Sequence, residues 1–473
     1  MSRQVEVFEP INESQVGLYA CGFTTYDYTH IGHLRKYSMD DVLVRALRAF
    51  GYDLRFVQNV TDVGHLASDA DEGEDKMEKG AKKYGQTVWE IAQQFEEYFF
   101  YSMDLMGNLR PDVSCRATEH IKEQLAMVVE LEKKGYAYVI EGDGVYFDTS
   151  KLDDYGKLAQ LQLDSLQEGA RIDVVAGKRN PTDFALWKFE REGENRAMVW
   201  PSPWHERSFP GWHIECSAMS MKYLGEQFDL HTGGIDHIPV HHTNEIAQAE
   251  AATGKKPFVR YWVHHNHLHV DGEKMSKSLG NFFTIDDVLA KGYSPKALRI
   301  LFLGSHYRSE MNFTWESLDG AQKAWTRLLA GYTRLYTNID ASQSKDDLQN
   351  VELLNEGSRE ILARFYEAIA EDLNTSKAMA IVWEVLKHDA LRADQKIILL
   401  NTFDTILGLD LEGEMRAEEH QISPEVQRLI EERKIARKNR DWELSDKLRD
   451  QIHSAGYVLK DENDGSQTVE LKS

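Results

Sequence analysis

Cysteine is scarce in this sequence: Cys21, Cys115 and Cys216 are the only three among 473 residues. So few thiols make no disulfide framework, and they point to a reducing, cytoplasmic setting. Long apolar runs are also missing. No stretch approaches the roughly 18 apolar residues of a membrane-spanning helix, so no span is expected. The opening "MSRQVEVFEP" has neither a basic n-region nor an apolar h-region, so no signal peptide is expected there. Positive charge is in deficit, with 55 Lys and Arg against 78 Asp and Glu and a net charge of −23. That balance argues against nonspecific coating of nucleic acid. It leaves open a protein that grips a folded RNA through local basic patches. "ERKIARKNR" (Glu432 to Arg440) is one such patch, with a solvated helix face as the plainer reading. Internal repeats and low-complexity runs are absent.

What is present reads as a globular chain of about two to four domains, with 42% hydrophobic and 10% aromatic residues. "VGLYA" (16–20) reads as a short buried strand, followed by a loop carrying Cys21, His30 and His33. Val42, Leu43, Ala46, Leu47 and Phe50 recur at helical spacing, and Gly51 reads as the stop. "DLRFVQNV" (53–60) reads as the next strand. Strand, loop, helix and strand in this order open a nucleotide-binding parallel sheet, whose ligands sit at strand carboxyl ends against helix N-termini. The stretch 64–80 is polar and loop-like, and 85–105 has the pattern of an amphipathic helix. Residues 115–205 read as an insertion with a helix at 120–134 and a hairpin around "YVIEGDGVYFD". "RYWVHHNHLHV" (260–270) reads as a strand closed by an Asp271-Gly272 turn. Beyond residue 314 the pattern is helical, with Ala321, Trp325, Leu328, Leu329, Tyr332, Leu335 and Tyr336 on one stripe. A further helix is capped near Asn374 or Thr375. Residues 411–423 read as an acidic linker, and the last fifty or so as a small helical or mixed module.

Two constellations carry chemistry. His241 and Glu245 are four residues apart and share a face if helical. With Cys21 and Cys216 they make a donor set that zinc accepts: two thiolates, an imidazole and a carboxylate. Their spacing is not a tight CxxC pattern, and buried small hydrophobes with an ordinary histidine are the competing reading. The second constellation is "HIGH" (His30 to His33) with "KMSKS" (Lys274 to Ser278). Imidazoles at a helix N-terminus, with Gly32 between them, allow close approach of a phosphate chain. Lys274 and Lys277 on a loop can neutralise charge as pyrophosphate departs. "TGGID" (Thr232 to Asp236) supplies Gly233, Gly234 and Asp236 for a ribose or adenine contact. Either short motif alone is a weak signal; the pair, in this order and context, is a strong one.

The pair resembles the signature of class I aminoacyl-tRNA synthetases. Over nearly its whole length the chain resembles the cysteinyl-tRNA synthetase family, through "YACGFTTYDYTHIGH", "NVTDV", "RATEHI", "DFALWK", "GWHIECSAM", "HHTNEIAQ" and "GEKMSKSLGN". The resemblance implies an α/β fold: a Rossmann-like parallel-sheet catalytic domain (1–114 and 206–300) with an inserted α+β connective domain (115–205). A helical tRNA-binding domain (301–410) and a small C-terminal anticodon-binding module (411–473) follow. It implies ATP-dependent activation of L-cysteine to cysteinyl-AMP and transfer to the 3' end of tRNA(Cys), by a cytoplasmic monomer. His30, His33, Lys274 and Lys277 would be catalytic, and Gly32, Gly233, Gly234, Asp236 and Lys277 would bind ATP with Mg2+. One Zn2+ would be held by Cys21, Cys216, His241 and Glu245 and would select the cysteine thiolate over serine. Thr61 would lie near the substrate amino group and Trp212 would wall the cysteine pocket, with Cys115 structural.

The chain departs from the family pattern in places. Phe23 stands where the usual "CGPTVYD" loop has proline, and Thr243 replaces an acid of "PHHENE". The 64–80 stretch replaces an acidic pair, "SPWHERSFPGWH" is longer, and no tryptophan follows the last glycine. The last departure bears on anticodon contacts rather than catalysis. Two other classes fit parts of the pattern. A paralog joining activated cysteine to a small amine, as the mycothiol-pathway ligase does, should lack a full anticodon module, yet residues 320–473 are retained. A noncatalytic RNA-binding paralog should have eroded HIGH or KMSKS motifs, and both are intact.

Overall fold

The computed structural model describes residues 4–13, 15–64, 75–160, 177–339, 343–420, 424–438, 441–455, 457–461 and 467–471. It forms two units, one of residues 1–328 and 338–409, the other of residues 329–337 and 410–473. The first unit opens with β1 (Gln15–Thr24), α1 (Ile31–Ala49), β2 (Asp53–Thr61), α2 (Lys76–Tyr84), α3 (Val88–Met106) and β3 (Val113–Arg116). Next come α4 (Ile121–Lys133), β4 (Ala137–Ile140), β5 (Gly144–Phe147), β6 (Phe184–Phe189) and β7 (Ser208–Pro210). The chain continues through α5 (Trp212–Leu224), β8 (Phe228–Gly234), α6 (His241–Thr253) and β9 (Val259–His265). It then makes β10 (Leu268–Val270), β11 (Glu273–Lys274), α7 (Ile285–Ala290), α8 (Pro295–Leu303) and β12 (Met311–Phe313). The helices α9 (Trp315–Thr337), α10 (Glu356–Ala370), α11 (Thr375–Lys387) and α12 (Ala393–Leu407) follow.

The main sheet has the order β3-β2-β1-β8-β9, with every neighbouring pair parallel. Strand order reverses between β1 and β8, which is where doubly wound sheets open a ligand crevice at the carboxyl ends. Leu18, Tyr19 and Ala20 of β1 are fully buried, as a parallel strand covered on both faces requires. α6 is buried from His241 to Ala252 although it carries His241, His242, Asn244, Glu245 and Gln248. A helix buried all round is normally apolar, so this one has polar partners inside the protein. β4 to β7 form a separate antiparallel sheet, and β11-β10-β12 a small mixed one.

The second unit holds the end of α9 with α13 (Leu411–His420), α14 (Pro424–Lys438), α15 (Trp442–Ser454) and the antiparallel pair β13 (Tyr457–Asp461) and β14 (Gln467–Leu471). Val426, Ile430 and Ile452 form a small core there.

Several expectations change. Cys21 lies inside β1, not in the loop after it, because the strand runs on to Thr24 through a bulge. α1 starts at Ile31, eight residues before its apolar periodicity is clear, since the polar HIGH segment is held in the helix by its own cap. "RYWVHHNHLHV" is two strands in two sheets, β9 and β10, broken at Asn266-His267. Residues 76–80 of the expected loop begin α2, capped by Asp75, while 65–74 lie outside the described residues. The expected linker at 411–423 is helical over Leu411–His420. In the basic patch, Arg433 is buried rather than solvated. The Asp271-Gly272 turn is present, both residues at positive φ (51° and 82°), as a two-residue hairpin of this twist requires.

Candidate active site and metal centre

The site is built at the switch point. β1 pairs with β2 in register up to Ala20 with Gln58 and resumes at Phe23 with Val60, so Cys21 and Gly22 face Asn59 alone. This bulge re-aims Cys21. Gly22 permits it: a Cβ there would lie 1.5 Å from the Asn59 carbonyl oxygen. The Gly22 N–H donates to Asn59 Oδ1 at 2.7 Å, and Lys36 of α1 donates to the Cys21 carbonyl at 2.7 Å.

Cys216 sits on α5, and His241 and Glu245 on the first turns of α6. One donor atom from each of Cys21, Cys216, His241 and Glu245 lies within 4.8 Å of all the others, and all four residues are buried. Cys21, His231, His242 and Glu245 meet the same criterion. Glu245 is fully buried; its Oε2 pairs with His231 Nε2 at 2.9 Å. Among the described residues its Oε1 accepts no hydrogen bond, although His241 Nε2 is 3.1 Å away in an ion-pair contact. Burial raises the Cys21 thiol, but the Cys216 hydrogen bond and nearby His231 and His242 outweigh it and hold Cys21 well below its ordinary value. Cys216 is pushed well above its own, by that hydrogen bond first and burial second. A buried carboxylate oxygen without a donor, facing two sulfurs and an imidazole, is a set that a thiophilic cation satisfies.

Beside it, His30 caps α1. Its Nδ1 accepts the N–H of Gly32 at 3.1 Å and of His33 at 3.3 Å, while His33 Nδ1 accepts the His30 N–H at 3.4 Å. The two rings stack with centroids 3.6 Å apart. Each Nδ1 is an acceptor, so each neutral ring carries its proton on Nε2 and offers an N–H donor. Burial lowers His30 to about 4 and His33 well below its ordinary value, so both rings are neutral at pH 7. A Cβ on Gly32 would be 2.6 Å from the Met275 methyl, so the KMSKS segment lies directly over the HIGH glycine. Lys274 is on β11, and Lys277, in the 3₁₀ turn Lys277–Leu279, pairs with Asp27.

The other expected residues fall as follows. Thr61 ends β2, and its hydroxyl donates to Glu215 Oε2 at 3.2 Å. Trp212 opens α5 with its ring 4.8 Å from that of His241. The space over Gly233 is filled by His242 Cε1 and His237 Nδ1, 2.4 and 2.8 Å from an added Cβ, and Asp236 Oδ1 folds back over Gly234. Cys115 is buried in β3, its Sγ 3.6 Å from the Gln58 carbonyl oxygen, and is not among the converging donor groups. Sequence reading missed His231, His242 and Asp27. His231 is the lone histidine of β8 and His242 simply follows His241 on α6, so neither carries a local signal, and Asp27 finds Lys277 only through the fold.

A parallel switch-point sheet carrying HIGH-type and KMSKS-type segments defines a nucleotide-activating α/β class. The family model described as the tRNA synthetases class I (C) catalytic domain matches residues 7–323, and that of the cysteinyl-tRNA ligase anticodon binding domain matches residues 419–469. The chain is 42% identical to a cysteine--tRNA ligase of Treponema denticola, over 98% of this chain and 96% of that one. It is 45% identical to cysteine--tRNA ligase 1 of Burkholderia lata, over 98% and 95%. This chain belongs to the cysteine--tRNA ligase family of class I tRNA synthetases. Its fold is similar to Mycobacterium tuberculosis methionyl-tRNA synthetase in complex with methionyl-adenylate (TM-score 0.55, 15% identity, 84% of this chain and 90% of that one). It is also similar to the LeuRS–tRNA–LeuAMS ternary complex from Agrobacterium radiobacter K84 (TM-score 0.59, 14% identity, 87% and 86%). No helix among the described residues is long and apolar enough to cross a membrane.

Proposed function

We propose that this protein activates L-cysteine with ATP and transfers it to the 3' end of tRNA(Cys). The observation that carries the reading is the convergence of Cys21, Cys216, His241 and Glu245 within 4.8 Å, beside the stacked His30–His33 pair. The donor set, with Glu245 Oε1 accepting no hydrogen bond among the described residues, fits zinc, one per chain. Zinc bound there supplies a thiophilic Lewis acid that favours a substrate thiolate and takes a serine hydroxyl poorly, which separates the two amino acids without editing.

The chain's own residues do the rest. Trp212 walls the amino-acid pocket, and Thr61, held by Glu215, lies by the substrate amino group. The substrate carboxylate is ionised at neutral pH and attacks the α-phosphate without a general base. The enzyme therefore works by positioning and charge stabilisation. The Nε2–H groups of His30 and His33 donate to the phosphate chain, and as neutral rings they add no charge that must later be released. Lys277 leaves Asp27 for the phosphates and, with Lys274, balances the departing pyrophosphate; Mg2+ bound with ATP would add positive charge there. Gly32, Gly233, Gly234 and Asp236 form the nucleotide bed, Gly32 once Met275 has moved aside. The terminal ribose hydroxyl of tRNA then attacks the adenylate, expelling AMP. The catalytic domain (1–114, 206–300), connective insertion (115–205), helical domain (301–410) and anticodon module (411–473) divide this work, in a cytoplasmic monomer.

The test is charging of unfractionated tRNA with labelled cysteine, and labelled serine alongside. Cysteine accepted and serine refused supports the reading. No charging, with intact cysteine-dependent pyrophosphate exchange, moves the acceptor to another molecule. Charging with serine at a comparable rate defeats thiolate selection.

A further inference from the structure

Arg35 lies on α1 two residues after His33 and is 2% exposed. Its guanidinium reaches no carboxylate within salt-bridge distance among the described residues; instead it donates to four backbone carbonyls. Nη1 reaches the oxygens of Asn266 (3.1 Å) and His267 (3.0 Å), and Nη2 those of His306 (3.0 Å) and Ser309 (2.7 Å). Burial without a counter-ion lowers it to about 10, which leaves it charged at neutral pH. Holding an unpaired cation inside the protein is costly, and an apolar side chain of similar volume would avoid that cost.

The four carbonyls are not scattered. Asn266-His267 is the link from β9 of the main sheet into β10, and His306 to Ser309 is the approach to β12. These are two entry points of the small sheet β11-β10-β12, which carries Lys274 on β11 and leads directly into Lys277. The entries are also tied to each other, by Asn266 N–H to the Tyr307 carbonyl at 2.9 Å and Met311 N–H to the His267 carbonyl at 3.1 Å. The far end of the KMSKS segment is fastened to the same helix, by Ile31 N–H to the Phe283 carbonyl at 2.9 Å and the bridge between His30 and Thr284. α1 thus presents the HIGH imidazoles from its first turn and holds both ends of the lysine-bearing segment.

We propose that Arg35 is a positioning residue for adenylate formation: its fork sets the register between the HIGH imidazoles and the KMSKS lysines. This rests on the activation reading above. A planar fork with divergent N–H groups can hold two chain segments at once, and a lysine ammonium, a single point donor, cannot. Losing the fork lets the lysines drift while leaving the cysteine pocket, built on β1, β2, α5 and α6, in place.

The experiment is cysteine-dependent pyrophosphate exchange in the full-length chain, wild type against Arg35→Lys and Arg35→Met, with zinc content and thermal unfolding measured alongside. The expected result is a fall in kcat of about 10- to 100-fold in both variants, the cost of misplaced catalytic groups. KM for cysteine should stay within about twofold and zinc content at the wild-type level. Tryptic cleavage after Lys274 and Lys277 should accelerate. Folded variants with wild-type kcat and only a lower Tm would overturn the proposal, leaving Arg35 structural. If Arg35→Met does not fold, Arg35→Lys carries the test alone. A wild-type enzyme with no exchange would overturn the activation reading, and this inference with it.

Discussion

The imidazole of His30 has a structural task that protonation would end. Its Nδ1 accepts the N–H groups of Gly32 and His33 that cap α1, and a protonated Nδ1 cannot accept. Burial lowers its pKa to about 4, below the 6.5 or so of an unfolded chain. The unfolded state therefore binds more protons between these values, and stability falls as pH drops from about 6.5 through about 4. Denaturant titrations across that window should show wild type losing about 2 kcal/mol more than His30→Asn, which can still cap but does not titrate. An equal loss in both would mean that His30 is not the group responsible. Cys216 makes a second residue-scale test. Cys216→Ser replaces the proposed soft ligand with a reluctant alkoxide, so metal content and cysteine-dependent exchange should disappear together, each by more than about tenfold. Normal exchange in a zinc-free variant would sink metal selection.

At the scale of elements, the bulge in β1 turns a buried strand into a ligand support. It depends on Gly22, where a Cβ meets the Asn59 carbonyl oxygen at 1.5 Å. Gly22→Ala should destabilise the protein by about 3 kcal/mol through overpacking and should weaken the proposed zinc binding, because Cys21 moves with the strand. Gly320→Ala is the contrasting case. Gly320 is exposed within α9 and an added Cβ meets nothing within 4 Å, so the change should be neutral or stabilise by about 0.5 kcal/mol. Thermal unfolding and zinc content of the pair separate the two effects. The break between β9 and β10 belongs to the same scale. A strand that changes sheets at Asn266-His267 lets one continuous histidine-rich segment serve the main sheet and the lysine-bearing sheet in turn.

At the scale of the whole molecule, a net charge of −23 must coexist with binding to a polyanion. Recognition then depends on a few exposed cations against a repelling background, and its strength should fall steeply with salt. Arg428 and Lys434 of α14 are well exposed, at 70% and 53% of their side chains. The double change Arg428→Glu and Lys434→Glu should raise KM for tRNA about tenfold or more and flatten the salt dependence of charging. Pyrophosphate exchange, confined to the first unit, should not change. Loss of exchange would show that these residues act on folding rather than on tRNA.

Much of the first unit was legible from residues alone. Helical spacing at Val42, Leu43, Ala46 and Leu47 and the apolar strands around "VGLYA" and "DLRFVQNV" are local patterns, set by which residues must leave water together. HIGH, KMSKS and the candidate ligand residues could be proposed because their chemistry is carried by side-chain type. What the sequence could not express is proximity. Cys21, Cys216 and Glu245 are separated by long stretches of chain, and only the parallel sheet's switch point brings their donors within 4.8 Å. The bulge that aims Cys21, the pairing of Asp27 with Lys277 and the four carbonyls around Arg35 all join segments far apart in the chain. Local propensity determines which elements form. Which buried polar groups face one another is decided by packing, because only there must each find a partner that water no longer supplies.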